Sequence, residues 1–314
     1  MTLSIKEIES LLPHRYENLL LDSVDIVDAS SVKGQFNLTI QDQDDLNRTL
    51  FYRRTIDGNL VLISPIIMEI LALASIVSGG GVKDDEILFY AGIRQFEMQN
   101  LPQLNHTITG TVQKDGQKGP FIQFSGSVEC EGLTVASGSM TAFVAKQSDF
   151  SGQDAAADGE DFIYPKTICL DADTSWFPKS EDMIAIDRLV HLDLDTHYAI
   201  GEYIYPQTHP LIRGHFPGLP VMMGVMQMMA VEDLSLLIFK HLHNGYHHMT
   251  CDAEIKGKDG RLVADMKGIS ISVERDSSGH PFYAVITAAK KVTFKNRVSP
   301  SDFISVHLRS IAFA

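Results

Sequence analysis

The chain repeats itself. "PHRYENLLLDSVDIVD", beginning at Pro13, and "PKSEDMIAIDRLVHLD", beginning at Pro178, align without a gap: proline, an apolar run, an aspartate (Asp22, Asp187) and a second apolar run in register. Strand-like stretches follow in both, "SVKGQFNLTI" and "HYAIGEYIY", with Gly34 and Gly201 at the corresponding step. Next comes a long apolar segment, around 60–79 and again around 220–240, too long for a strand and bounded by Gly or Pro. Alternating β-rich runs close each half, such as "HTITGTV" and "FIQFSGSVEC" in the first, "LVADMKGISISVE" in the second. A buried helix followed by antiparallel strands, written twice, predicts an α+β unit in which a curved sheet wraps a central helix. Two such units in tandem mimic a dimer. The boundaries expected are 1–146 for the first domain, 147–163 for a linker of small and acidic residues, and 164–314 for the second.

With 314 residues, each half has enough chain to bury its own core. A formal charge of −14 argues against nucleic acid, which demands concentrated Lys and Arg, and against an anionic membrane surface. Cys130, Cys169 and Cys251 are far apart and lack CxxC spacing, so neither a disulfide framework nor a thiolate zinc site is expected. The N-terminus lacks the basic-then-apolar layout of a signal peptide and reads as mature, cytoplasmic protein. Residues 60–79 are apolar enough to suggest a membrane span. Pro65 and Glu69 inside that segment favour a buried globular helix instead.

Two stretches resemble a known family. "LPHRYENLLLDSV" and "GHFPGLPVMMGVM" are similar to the patterns LPHRYPFLLVDRV and GHFPxxPVMPGVL of the β-hydroxyacyl-acyl-carrier-protein dehydratases (FabA/FabZ-like), whose units have the hotdog fold. The resemblance implies two tandem hotdog domains forming an intramolecular pseudo-dimer, as in tandem double-hotdog dehydratases. It also implies a site shared between units: a histidine from one, a Glu or Asp from the central helix of the other, and a helix-start N–H that polarises the thioester carbonyl. The family acid follows its histidine by fourteen residues. Counted from His215 that position is Met229, and counted back from Glu69 it is Thr55. Each half has therefore kept what the other has lost. One composite site of His215 and Glu69 is expected, with the Thr55/Met229 site dead.

The chemistry suits these types. An imidazole accepts the α-proton at neutral pH; a carboxyl whose pKa is raised by burial donates to the departing hydroxyl. Gly224 stands at the family's helix-start glycine, and Met222 and Met223, with Met226, Met228 and Met229, are expected as adaptable acyl-chain walls. Met223 replaces the family's proline. Glu232, one turn beyond Met229, is the alternative acid, ranked below Glu69 because a shift of about 5 Å is too far for proton transfer. His14 and Arg15 are expected to shape the tunnel mouth without a catalytic role, their counterparts being Lys179 and Ser180. The run His241, His243, His247 and His248 lacks ligand spacing, so no metal is expected, and no cofactor.

The resemblance implies an acyl carrier protein or acyl-CoA thioester as partner, met by the basic stretch "KKVTFKNR" at 290–297 together with Arg53, Arg54 and Arg213. The chain is expected as a monomeric pseudo-dimer or a higher homo-oligomer, alone or as a piece of a larger synthase. A hotdog thioesterase and a catalytically inactive acyl-binding scaffold are the rival readings. The C-terminal part aligns in two ways. Matching Phe294 to Phe96 and Pro300 to Pro102 leaves the second unit short of its final strands; taking "HMTCDAEIKG", "RLVADMKGISISVERD" and "HPFYAVITAAKKVTF" as the post-helix strands makes the tail extra. The second is preferred because it completes the sheet.

Overall fold

A computed structural model describes residues 1–28, 33–41, 44, 46–79, 85–146, 168–242 and 245–314. The expected linker and His243 lie outside the described residues. The first half contributes β1 (Thr2–Ser4), α1 (Ile5–Leu11), β2 (Ser23–Asp28), β3 (Lys33–Thr39), the small hairpin β4 (Tyr52–Arg54) and β5 (Leu60–Leu62), and α2 (Ile66–Ser78). Four long strands follow: β6 (Glu86–Met98), β7 (Thr107–Lys118), β8 (Phe121–Cys130) and β9 (Leu133–Lys146). The second half contributes β10 (Leu170–Asp171), β11 (Arg188–Asp193), β12 (Tyr198–Ile204), α3 (Ile212–His215) and α4 (Gly224–Leu242). After α4 come β13 (His248–Gly257), β14 (Leu262–Arg275), β15 (Pro281–Ala289), β16 (Lys291–Phe294) and β17 (Phe303–Phe313).

All residues of α2 are buried, as are Val225–Phe239 of α4. Helices apolar on every side need cover on every side, and the sheet provides it. α2 packs on β2, β3, β7, β8 and β9, α4 on β11, β14, β15 and β17, and the two helices touch. These are two tandem hotdog units. No helix among the described residues is long and apolar enough to cross a membrane, since the apolar stretch at 60–79 is divided between β5 and the thirteen-residue α2.

Apart from β4 and β5, which form a two-stranded sheet of their own, the strands join in one antiparallel sheet of order β1-β2-β3-β7-β8-β9-β6-β15-β14-β13-β17-β12-β11-β10, with β16 paired to β14 and β6. Burial alternates residue by residue along β7 and β13, one face turned to a helix. The seam is β6, which pairs β15 through Glu97 and Phe96 and β16 through Ile93 and Gly92. Gly34 in β3 and Gly201 in β12 mark the same crossing in both halves. A Cβ on Gly34 would collide with Ser78 of α2, and one on Gly201 would come within 2.8 Å of Leu234 of α4.

One expectation is overturned. The tail is not extra: β17 sits between β12 and β13, paired to both. It takes the place that β7 holds beside β3, and β16 lies at the seam as β6 does. The alignment of Phe294 with Phe96 is therefore the one that fits. The strands it left missing come earlier in the chain, from the β13–β14 hairpin, so the second unit reaches the same sheet by a different chain order.

Candidate active site

His215 ends α3 because the next residue, Phe216, precedes Pro217. The proline ring forces its predecessor out of the helical region, and Phe216 is extended at φ −136° and ψ 94°. The imidazole Nδ1 lies 3.1 Å from the Val221 carbonyl oxygen. A carbonyl only accepts, so the proton sits on Nδ1 and the Nε2 lone pair is free. Glu69 stands in the first turn of α2, 5% exposed. One nitrogen of His215, one of His14 and one Glu69 oxygen lie within 4.8 Å of one another.

Burial sets the protonation of all three. It pushes the Glu69 carboxyl up to about 7. It pulls His215 down to about 4, against the opposing pull of the Val221 carbonyl, and holds His14 well below the usual imidazole range, helped by His215 and Arg15. At neutrality both imidazoles are neutral and Glu69 is near its midpoint. This set contains a base and an acid at once.

Around them is a cavity of about 540 Å³ that takes Ala72 and Leu73 of α2, Phe124 and Met140 of the first sheet, and Met222 and Phe294 of the second half. Gly224 opens α4 on its wall, and a Cβ there would press 3.0 Å from the Phe294 ring. Its N–H, at the positive end of the helix, has no acceptor among the described residues. Lys295 and Asn296 are exposed on the cavity rim, beside Arg261 and Arg297.

His14 lies deeper than expected. It is 3% exposed, its Nε2 is 3.8 Å from Glu69 Oε1, and its ring centroid is 5.3 Å from that of His215. The opening motif carries it there by clasping the histidine motif: Arg15 N–H donates to the Gly214 carbonyl at 2.8 Å, the Asn18 amide to the Leu211 carbonyl, and Arg213 pairs with Glu17. Two further residues escaped the sequence reading. The Tyr90 hydroxyl, on β6, and Gln227 Oε1, one turn after Gly224, line the cavity buried and without a hydrogen-bond partner, as does His14 Nδ1. Three unpaired polar atoms on one apolar cavity invite a polar ligand.

Other expected residues stand elsewhere. Of the five methionines only Met222 lines the cavity; Met223, Met226, Met228 and Met229 are wholly buried in the core around α4. A helix wrapped on all sides has most of its faces turned to the sheet, which takes Met226, Met228 and Met229, and Met223, just before the helix, is drawn into the same core and lost as a wall residue. Glu232 is not on the cavity either. Its carboxylate pairs with Arg53 and accepts from Ser64 Oγ at 2.7 Å and Ile286 N–H at 2.9 Å.

Comparison with known proteins finds that no family model matches. The chain is 27% identical over 149 residues to the 3-hydroxyacyl-[acyl-carrier-protein] dehydratase FabZ of Rickettsia bellii, covering 47% of this chain and 100% of the relative. The FabZ of Syntrophotalea carbinolica is 27% identical over 154 residues, covering 47% of this chain and 99% of its own. The chain is a FabA/FabZ-like double-hotdog protein. A FabZ length matches about half of this FabA/FabZ-like chain, as two units in one polypeptide require. The chain is also similar to the dehydratase domain from the CurF module of curacin polyketide synthase, with TM-score 0.48 and 10% identity over 88% of this chain and 99% of that one.

Proposed function

We propose that this protein removes water from 3-hydroxyacyl thioesters at one composite site, with His215 as base and Glu69 as acid. One observation carries the reading: an imidazole nitrogen of His215, from the second half, and the Glu69 carboxyl, from the first, lie within 4.8 Å of each other and line one cavity. His215 Nε2 takes the α-proton. The negative charge that grows on the thioester oxygen is met by Gly224 N–H at the α4 N-terminus. The Cβ–O bond breaks as Glu69 gives its proton to the hydroxyl, which leaves as water, and proton return from His215 to Glu69 resets the pair. Water adds to the enoyl thioester by the same steps reversed.

The acyl group arrives on an acyl carrier protein. Lys295 and Arg297, within the basic stretch expected from the sequence, stand on the cavity rim of a chain that is acidic overall, and suit an acidic carrier. Incubation with a 3-hydroxyacyl thioester tests the reaction: the enoyl thioester is the expected product, and release of free thiol instead identifies a thioesterase and sinks the reading. Lys295→Glu is expected to raise KM for the carrier-linked substrate several-fold while leaving the CoA thioester little changed.

A further inference from the structure

Two imidazoles and a carboxylate converging in one buried place have a second chemistry. We infer that His14, Glu69 and His215 form a zinc-binding site. The donor set, two nitrogens and one anionic oxygen, is one that zinc takes and that hard cations such as Mg²⁺ and Ca²⁺ do not favour. The ligand atoms lie within 4.8 Å of one another. Around a tetrahedral zinc, with bonds of about 2.0–2.2 Å, they would be roughly 3.3 Å apart. Closure by up to about 1.5 Å is within reach of side-chain rotation.

The surroundings are those of a ligand shell. His215 Nδ1–H is held by the Val221 carbonyl, the outer hydrogen bond that fixes a ligating imidazole with its lone pair turned inward. His14 is 3% exposed and its Nδ1 has no partner, so the ring is free to carry its proton there and present Nε2 to the metal. Phe216 packs on both imidazoles, with ring centroids 5.2 Å from His14 and 4.2 Å from His215, an apolar wall shared by the two rings. The adjoining cavity has room for water as a fourth ligand. Because zinc would take His215 Nε2, it would shut off the base, a consequence that rests on the proposed reaction; the binding itself does not.

The test is calorimetric titration of zinc chloride into the full chain. One site per chain is expected, with Glu69→Gln and His14→Asn each weakening it tenfold or more. A His247→Gln/His248→Gln control should leave it unchanged. Cobalt(II) in place of zinc is expected to give the visible absorption of a four- or five-coordinate ion, lost in His14→Asn. Circular dichroism establishes that each variant is folded, and His215→Gln replaces any that is not. Equal affinity in the wild type and the cluster variants, or loss of binding in the surface control, overturns the site. Zinc that binds as expected but leaves hydration of an enoyl thioester unaffected upholds the site and refutes the assigned role of His215 instead.

Discussion

The two pseudo-symmetric ends of the seam begin from the same backbone and finish with opposite electrostatics. At one end stand His14, Glu69, His215 and Gly224, around a cavity with three buried polar atoms unpaired. At the other the corresponding positions are Lys179, Met229, Thr55 and Ser64, and there the buried carboxylates are paired, with Arg53 Nε a buried polar atom left without a partner. Lys179 pairs with Asp233 at 2.6 Å, Asp233 also accepts from Ala185 N–H, and Arg53 and Ser64 saturate Glu232. Thr55 closes a tight hairpin turn with Asn59. The end proposed to be active keeps three polar atoms unpaired on its cavity, while the other has turned the same space into buried ion pairs with one guanidinium nitrogen left over. A polar group left unpaired in a low dielectric costs stability, so the first end bears more of this cost than the second.

The largest test of this contrast is catalytic. His215→Ala and Glu69→Gln are each expected to lower kcat/KM for hydration of an enoyl thioester by on the order of 10³. Glu232→Gln should leave the rate per folded molecule within a few-fold. Comparable losses from Glu232→Gln would mean that the two ends share the work.

Stability should sort the opposite way. Arg53→Met leaves Glu232, 1% exposed, with its charge uncompensated, and is expected to cost about 3–5 kcal/mol in urea unfolding. Replacing both partners with apolar residues should return most of that loss, because the buried pair is worth less than the penalty of breaking it. Additive losses in the double variant would show that the pair is a net stabiliser.

What the sequence revealed of this contrast was one-sided. The repeat and the two buried helices were legible from a gapless motif alignment and from the length of the apolar runs, whereas the complementary reading of positions 55, 69, 215 and 229 came only from the spacing of the dehydratase family that the motifs resemble. His14 was set aside because its counterpart is a lysine; that argument assumes symmetry, and symmetry fails where one end has been rebuilt. Tyr90 and Gln227 sit in unremarkable strand and helix patterns, and only the folding of β6 against the second half brings the tyrosine to the α4 cavity. The place of β17 was hidden for a related reason: alternation tells a strand from a helix but does not name its neighbours.

A pH profile separates the ends more gently. Glu69 is protonated below about 7 and His215 is neutral above about 4, so kcat/KM should hold a plateau between these values and fall roughly tenfold per unit above the upper one. Stability carries the same signature. A carboxyl raised from about 4.3 in the unfolded chain contributes stability that is present at low pH and lost as pH rises through about 7, up to roughly 4 kcal/mol. His215 works in the other direction, losing stability as pH falls from about 6.5 towards 4. Glu69→Gln should flatten the fall in melting temperature between pH 5 and 8; an unchanged slope would mean that Glu69 does not titrate there.

The smallest effect expected is from the most tempting repair. Thr55→His with Met229→Glu, placed in a Glu69→Gln background, restores the family's residues at the other end, yet it should raise hydration by less than tenfold. Met229 is fully buried, so a glutamate there lacks the open cavity that Glu69 borders, and one turn on it meets Glu232 and Asp233, already held by Arg53 and Lys179. Residue 55 closes a five-residue turn, whereas His215 is placed by the clasp between Arg15 and Gly214 and by the Val221 carbonyl. Ser64 donates its hydroxyl to Glu232 where Gly224 leaves its N–H open to the cavity. Recovery to within tenfold of the wild type would mean that the identity of two side chains, and not the shape and charge of the space around them, separates the two ends.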